Sequence, residues 1–232
     1  MSWKGTYKSR ITTAEKAVKA IKDNDYVVFS ETAGIPQLIA KTLADHREDY
    51  HNVHIYHMLT LGDAPYLKPE CYGHFHHITN FVGGNSRQAL LDQQADFIPC
   101  YFKDVPAMLG EAFPVDVAVV SVSNPDNEGY CSFGVSCDYA KAACKKAKTV
   151  IAEINEMTPY IFGSQNKIHV SEIDYNVPCA YNLPEIPNPT IGEVEKNIGK
   201  NCASLIKNGA TLQLGIGAIP DAVLMFLGDK RD

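Results

Sequence analysis

Tyr26-Val-Val-Phe-Ser30, the loop Glu31-Thr-Ala-Gly34, then Pro36 and a run carrying Leu38, Ile39 and Leu43 read as strand, loop and helix. The first five residues are β-rich, and proline is well suited to the first turn of a helix, where its missing N–H is no loss. Just upstream, Thr12 and Glu15 form a capping-box pattern, with Ala14, Ala17, Val18 and Ile21 at helical spacing. A helix is therefore expected over 13–22, ended by Asp23-Asn24-Asp25. Downstream, strand candidates recur at Val53–Met58, Phe75–Val82, Phe97–Phe102, Val115–Val122 and Thr149–Ile154, with helical patterns at 85–94, 104–111 and 138–147 between several of them. Strands alternating with helices imply an α/β fold, a largely parallel sheet flanked by helices, whose binding groups collect at the carboxyl ends of strands.

Between Asn155 and Pro189 the alternation breaks, and Pro159, Pro178, Pro184, Pro187 and Pro189 read as a connecting stretch. The expected organisation is a main lobe over 1–189 and a closing helix, strand, glycine turn and helix over 190–232. Thr190 and Glu193 give a second capping box, and Ile191, Val194, Ile198, Leu205 and Ile206 form an apolar stripe ending at Asn208-Gly209. Ala210–Leu214 reads as a strand. Gly215-Ile-Gly-Ala-Ile-Pro220-Asp-Ala-Val223 follows as a turn running into a helix.

The chain has 232 residues, 45% of them hydrophobic, and a net charge of −6 from scattered charges, which argues for solubility and against nucleic acid as a partner. Seven cysteines at irregular spacing without a CxxC pair argue against a disulfide framework or a zinc site. Neither an apolar leader nor a run of about 18 apolar residues is present, so a soluble, cytoplasmic protein without membrane contact is expected.

A strand, glycine turn and helix bring unpaired N–H groups together at the positive end of a helix, where anions and developing oxyanions bind. Gly215 and Gly217 allow a ligand close to the main chain. A dinucleotide fingerprint would need a third glycine where Pro220 stands, and a later strand with an acidic residue. A purely structural corner is the blander alternative.

Thr211–Val223, with Ile191-Gly-Glu-Val-Glu195 and Gly199–Ile206 before it, resembles the corresponding segment of 4-hydroxybutyrate CoA-transferases and related members of the acetyl-CoA hydrolase/transferase family. His57–Gly62, Val115-Asp-Val117, Ser123–Tyr130, Gly134–Tyr139 and His169–Asp174 resemble that family in the same order. The resemblance implies the amino-terminal half of an acyl-CoA:carboxylate CoA-transferase whose nucleophilic glutamate opens a second lobe beyond Asp232. It implies the Ile216 N–H as an oxyanion donor, with Gly215, Ile216, Gly217, Ala218 and Ile219 lining the CoA thioester. It further implies acyl-CoA and a short-chain carboxylate as partners, coenzyme A as substrate and covalent carrier, no metal or redox cofactor, and a homo-oligomer. This chain alone is then expected to bind without turnover, a truncated product being the favoured explanation. A non-catalytic CoA- or anion-binding module is the rival.

Two further loops follow strands. In Glu31–Pro36, Thr32 and Gly34 are candidates to receive the acceptor carboxylate or part of CoA, against a plain connection in which Glu31 is a solvated loop carboxylate. In Gly83–Arg87, Gly84, Asn85 and Ser86 are substrate candidates, with helix capping by Asn85 or Ser86 as the alternative. His74, His76 and His77, with His54 and His57, invite a metal reading. Strand alternation places His76 and His77 on opposite faces, so surface or partly buried histidines are expected instead.

Overall fold

The computed structural model describes residues 2–231. The chain forms two compact units, Met1–Glu185 and Ile186–Asp232.

The first unit is built on a seven-stranded sheet. Its strands, numbered in chain order, are β1 (Tyr26–Phe29), β2 (Val53–Tyr56), β3 (Phe75–Thr79), β4 (Ala95–Phe97), β5 (Val117–Val122), β7 (Thr149–Asn155) and β9 (Tyr175–Cys179). They run in the order β4-β3-β2-β1-β5-β7-β9, and every neighbouring pair is parallel. A small antiparallel pair, β6 (Tyr130–Ser132) with β8 (Lys167–His169), lies outside this sheet.

Period-2 alternation assigns the strand side chains to two cores. Val27, Phe29, Val117 and Val119 pack on one face with Ile39 and Leu43 of α3 (Gln37–Asp45) and Ala14 and Ala17 of α2 (Ala14–Ala17). Val28, Ala118, Val120 and Val122 pack on the other with Val105 and Leu109 of α5 (Val105–Glu111) and Ala140 and Ala143 of α6 (Ala140–Lys146). β5 is buried along its whole length, as a central strand covered on both faces should be.

The expected helix over 13–22 is α2 continued by a 3-10 turn at Val18–Ala20, and the pattern at 85–94 yields a shorter α4 (Arg87–Leu91). The expected strand at 97–102 is shifted upstream to Ala95–Phe97, because Pro99 has no N–H for a ladder. The stretch read as a connector contains β8 and β9, and an amino-terminal helix α1 (Trp3–Ser9) precedes α2. No helix among the described residues is long and apolar enough to cross a membrane, and all seven cysteines are free.

The second unit consists of α7 (Glu193–Leu205) and α8 (Ala218–Met225) packed together. Gly199 and Ala203 of α7 and Ala222 and Val223 of α8 are its buried helix residues. The close approach depends on Gly199, where a Cβ would sit 2.5 Å from the Ala222 carbonyl oxygen. Residues 210–214, expected as a strand, are exposed and pair with no strand among the described residues. A strand is defined by its ladder, and here there is no neighbour to supply one.

Candidate functional site

From β1 the sheet grows through β2, β3 and β4 on one side and through β5, β7 and β9 on the other, so its topological switch point lies between β1 and β5. Ligands of open parallel sheets bind outside the strand carboxyl ends at such a point. The loop Glu31–Ile35 leaves β1 there.

Its backbone is tied to the loop after β2. The Thr32 N–H donates to the Leu59 carbonyl at 2.7 Å and the Leu61 N–H to the Thr32 carbonyl at 3.3 Å. Thr32 sits at φ 52°, an uncommon conformation for a threonine that its surroundings must hold in place. The Gly34 N–H donates to the Glu31 carbonyl at 2.9 Å. Thus the amides of Thr32 and Gly34 are engaged within the protein. Those of Ala33 and Ile35 donate to no acceptor among the described residues. Gly34 has no substitute here, since a Cβ would lie 2.4 Å from the Ser136 Cβ.

Glu31 is not the solvated loop carboxylate expected. It is 5% exposed, its carboxylate accepts from the Leu59 N–H at 3.2 Å, and its own N–H donates to Ser136 Oγ at 3.1 Å. Burial, then the negative charge of Asp138, pushes the carboxyl up to about 8. Sequence reasoning missed it because a glutamate in a loop is usually wet; its place directly after a buried strand was the available signal.

After β3, Asn85 Nδ2 donates to the Gly62 carbonyl at 2.8 Å, bracing this loop against the loop after β2. Ser86 is buried at the N-terminus of α4, yet its Oγ accepts from the Gly83 N–H rather than from the helix. Gly84 is exposed. These residues therefore share the carboxyl end of the sheet with Thr32 and Gly34, and the roles seen for Asn85 and Ser86 are loop-bracing ones.

In the second unit, Gly217 stands at the N-cap of α8 with φ 127°, a conformation that disfavours any side chain, and Ile216 is 94% exposed. The Asp221 N–H donates to the Gly217 carbonyl at 3.1 Å, starting the helix. The N–H groups of Gly215, Ile216, Gly217, Ala218 and Ile219 donate to no acceptor among the described residues. Free N–H donors clustered at the positive end of a helix can bind an anionic oxygen, which accepts from only a few of them at once.

The histidines divide. His76 pairs with Asp96 at 2.9 Å near the surface. His57 and His77 are each 1% exposed, with ring centroids 4.3 Å apart, which corrects the expectation of surface or partly buried rings. Burial holds His57 well below its usual range and His77 down to about 4, so both are neutral packing groups. No group of three or more potential metal ligands converges among the described residues. Glu153 of β7, fully buried, accepts from the Ile39 N–H in the first turn of α3 and from the Tyr181 hydroxyl.

The acetyl-CoA hydrolase/transferase N-terminal domain family matches residues 1–180. The chain belongs to this family. It is 48% identical to the 4-hydroxybutyrate coenzyme A transferase of Clostridium kluyveri over all of this chain and 54% of that protein. The crystal structure of the Porphyromonas gingivalis 4-hydroxybutyrate CoA-transferase superposes with a TM-score of 0.86 at 41% identity, covering 100% of this chain and 54% of that one. RipA from Yersinia pestis superposes with a TM-score of 0.92 at 28% identity, covering 99% of this chain and 56% of that one. The chain thus spans about half the length of the family members it matches, and several of these are named CoA-transferases.

Proposed function

We propose that this chain is the amino-terminal half of an acyl-CoA:carboxylate CoA-transferase acting on short-chain acids such as 4-hydroxybutyrate, butyrate or acetate. The observation that carries the reading is the set of unengaged N–H groups at 215–219, at the N-terminus of α8, in a chain 48% identical to a 4-hydroxybutyrate CoA-transferase.

In the proposed reaction a glutamate carboxylate, contributed by the half of the enzyme this chain does not match, attacks the thioester carbonyl carbon. The tetrahedral oxyanion accepts a hydrogen bond from the Ile216 N–H. The C–S bond breaks, CoA leaves as a thiolate, and an acyl-glutamyl anhydride remains. The thiolate then attacks the glutamyl carbonyl, releasing the acyl group as a carboxylate and leaving a glutamyl-CoA thioester. A second acid's carboxylate attacks that thioester, and the same steps run in reverse to give the new acyl-CoA and the free glutamate. A covalent relay divides one difficult exchange into easier ones. Donors already placed at the oxyanion contribute rate that water cannot, with one such donor worth about 100-fold or more. CoA serves as both substrate and covalent carrier, and the chemistry is complete without a metal or a redox group.

The loops after β1 and β3, with Thr32, Gly34, Gly84, Asn85 and Ser86, are proposed to shape the acceptor side, the amides of Ala33 and Ile35 facing the acid. The test is reconstitution. The chain is combined with a separately expressed carboxyl-terminal half, and transfer of CoA from acetyl-CoA to 4-hydroxybutyrate is followed. Transfer that needs both halves is expected. CoA binding by calorimetry with no transfer from any combination would favour a binding module instead.

A further inference from the structure

The helix that leaves the loop after β1 starts without a local cap. Pro36, which precedes α3, makes no side-chain hydrogen bond to it, and the leading N–H groups of any α-helix lack partners within the helix. Two residues distant in sequence supply the acceptors. The Gln37 N–H donates to the Tyr181 hydroxyl at 3.2 Å, and the Ile39 N–H donates to Glu153 Oε1. The Tyr181 hydroxyl in turn donates to Glu153 Oε2. Glu153 is fully buried and meets donors, the Cys179 thiol at 3.8 Å among them.

Tyr181 is itself held by its main chain. The ladder between β7 and β9 ends at Asn155 and Cys179, and the Asn155 side chain takes over from there. Its Oδ1 accepts the Tyr181 N–H at 3.2 Å and its Nδ2 donates to the Tyr181 carbonyl at 3.0 Å. Oδ1 also accepts the Met157 N–H at 3.1 Å, so the orientation of this buried amide is fixed by its partners. Beyond Tyr181, residues 182–191 form no helix or strand that could hold the phenol from the other side.

The capped turn carries the loop Glu31–Pro36. Gly62, in the loop after β2, packs so closely on it that a Cβ there would lie 2.8 Å from Ile35 Cγ2 and 3.3 Å from Gln37 Cδ. A displacement at Gln37 therefore reaches Ile35 directly, and through Gly62 the loop that Asn85 braces.

We propose that Tyr181, by bridging the Gln37 N–H and Glu153, is a positioning residue for the acceptor acid, seating the first turn of α3 and with it the loop Glu31–Pro36. Its hydroxyl is spent inside the protein and touches no substrate. Burial, then the charge of Glu153, pushes that hydroxyl well up, so it remains the donor. The positive end of α3, an ordinary seat for an anion, is filled by the protein's own carboxylate and closed to that of the acid. The role toward the acid rests on the transferase reading; the cap on α3 does not.

The test is Tyr181→Phe, which keeps the ring and removes only the bridge. In the intact chain, amide exchange at Gln37 should quicken about 5- to 100-fold, the scale of a donor left unpaired, while Val119 in β5 keeps its protection. With the carboxyl-terminal half supplied, KM for 4-hydroxybutyrate should rise about tenfold, while kcat and the KM for acetyl-CoA change by less than about twofold. Unchanged exchange at Gln37, or a loss of protection spread equally into β5, overturns the cap. Lost protection at Gln37 with an unchanged KM for the acid, or an equal fall in kcat/KM for acid and acetyl-CoA, overturns the positioning role. If no combination of halves transfers CoA, the transferase reading fails and the role toward the acid with it, whereas exchange at Gln37 still decides the cap.

Discussion

Replacing Gly199 by alanine should loosen the helix pair that carries the glycine turn. The added Cβ would lie 2.5 Å from the Ala222 oxygen, 2.6 Å from the Ala222 carbonyl carbon and 2.9 Å from the Val223 nitrogen. These are backbone atoms and cannot rotate away, so α7 and α8 must separate by about 1 Å to restore ordinary carbon contacts of ~3.5 Å or more. Overpacking of this kind costs about 1–3 kcal/mol, against which alanine gains up to about 1 kcal/mol of helix propensity over glycine. The expected net loss is about 1–2 kcal/mol, or roughly a fivefold to thirtyfold shift in the local opening equilibrium. With two units in the chain, a single unfolding free energy is poorly defined, and amide exchange of Ala203 and Val223 is the appropriate measure. Gly228→Ala is the control, because nothing lies within 4 Å of its Cβ position and its φ is not positive. Equal protection in the two variants, or a gain in Gly199→Ala, would refute the packing argument.

Gly34→Ala forces a Cβ to within 2.4 Å of the Ser136 Cβ, so a loss of about 1–3 kcal/mol from the first unit is expected in thermal unfolding. Glu153→Ala leaves the Ile39 N–H and the Tyr181 hydroxyl without their acceptor, and about 2–4 kcal/mol should be lost in denaturant unfolding, most of it restored in Glu153→Gln. His77 takes up its proton near 6.5 when unfolded but only near 4 when folded. Stability from this group is therefore intact above 6.5 and declines as pH falls toward 4, by about 1.4 kcal/mol per unit. His57 is pushed the same way by burial, and urea unfolding across this range should show the combined slope, reduced by about one proton in His77→Gln.

The sheet was legible wherever a strand is central and apolar on both faces. Val115–Val122 and Thr149–Ile154 stand out as valine- and isoleucine-rich runs, interrupted only by Asp116, Ser121 and Glu153, and β5 and β7 occupy most of them. β9 was hidden because Pro178 lies inside it. A proline is tolerated there since β9 ends the sheet, and its outer side carries only an isolated bridge between Ile11 and Asn176 rather than a continuous ladder. Ala210–Leu214 shows the opposite case, a segment with strand composition and no neighbour to pair with. At the site, the glycines at 215 and 217 and the proline at 220 announce a turn entering a helix, and α8 begins at Ala218. Glu31 and Glu153 escaped notice because burial of a carboxyl depends on which distant donors reach it. Leu59 and Ser136 for the first, Ile39 and Tyr181 for the second, are far away in sequence.

The account turns on whether the Ile216 N–H acts on the thioester. Incorporating the α-hydroxy acid equivalent of isoleucine at position 216 exchanges that N–H for an ester oxygen and leaves the side chain unchanged. With the second half supplied, acyl-CoA transfer should slow by about 100-fold while CoA affinity changes little. A transfer rate equal to that of the unmodified chain would contradict the assignment.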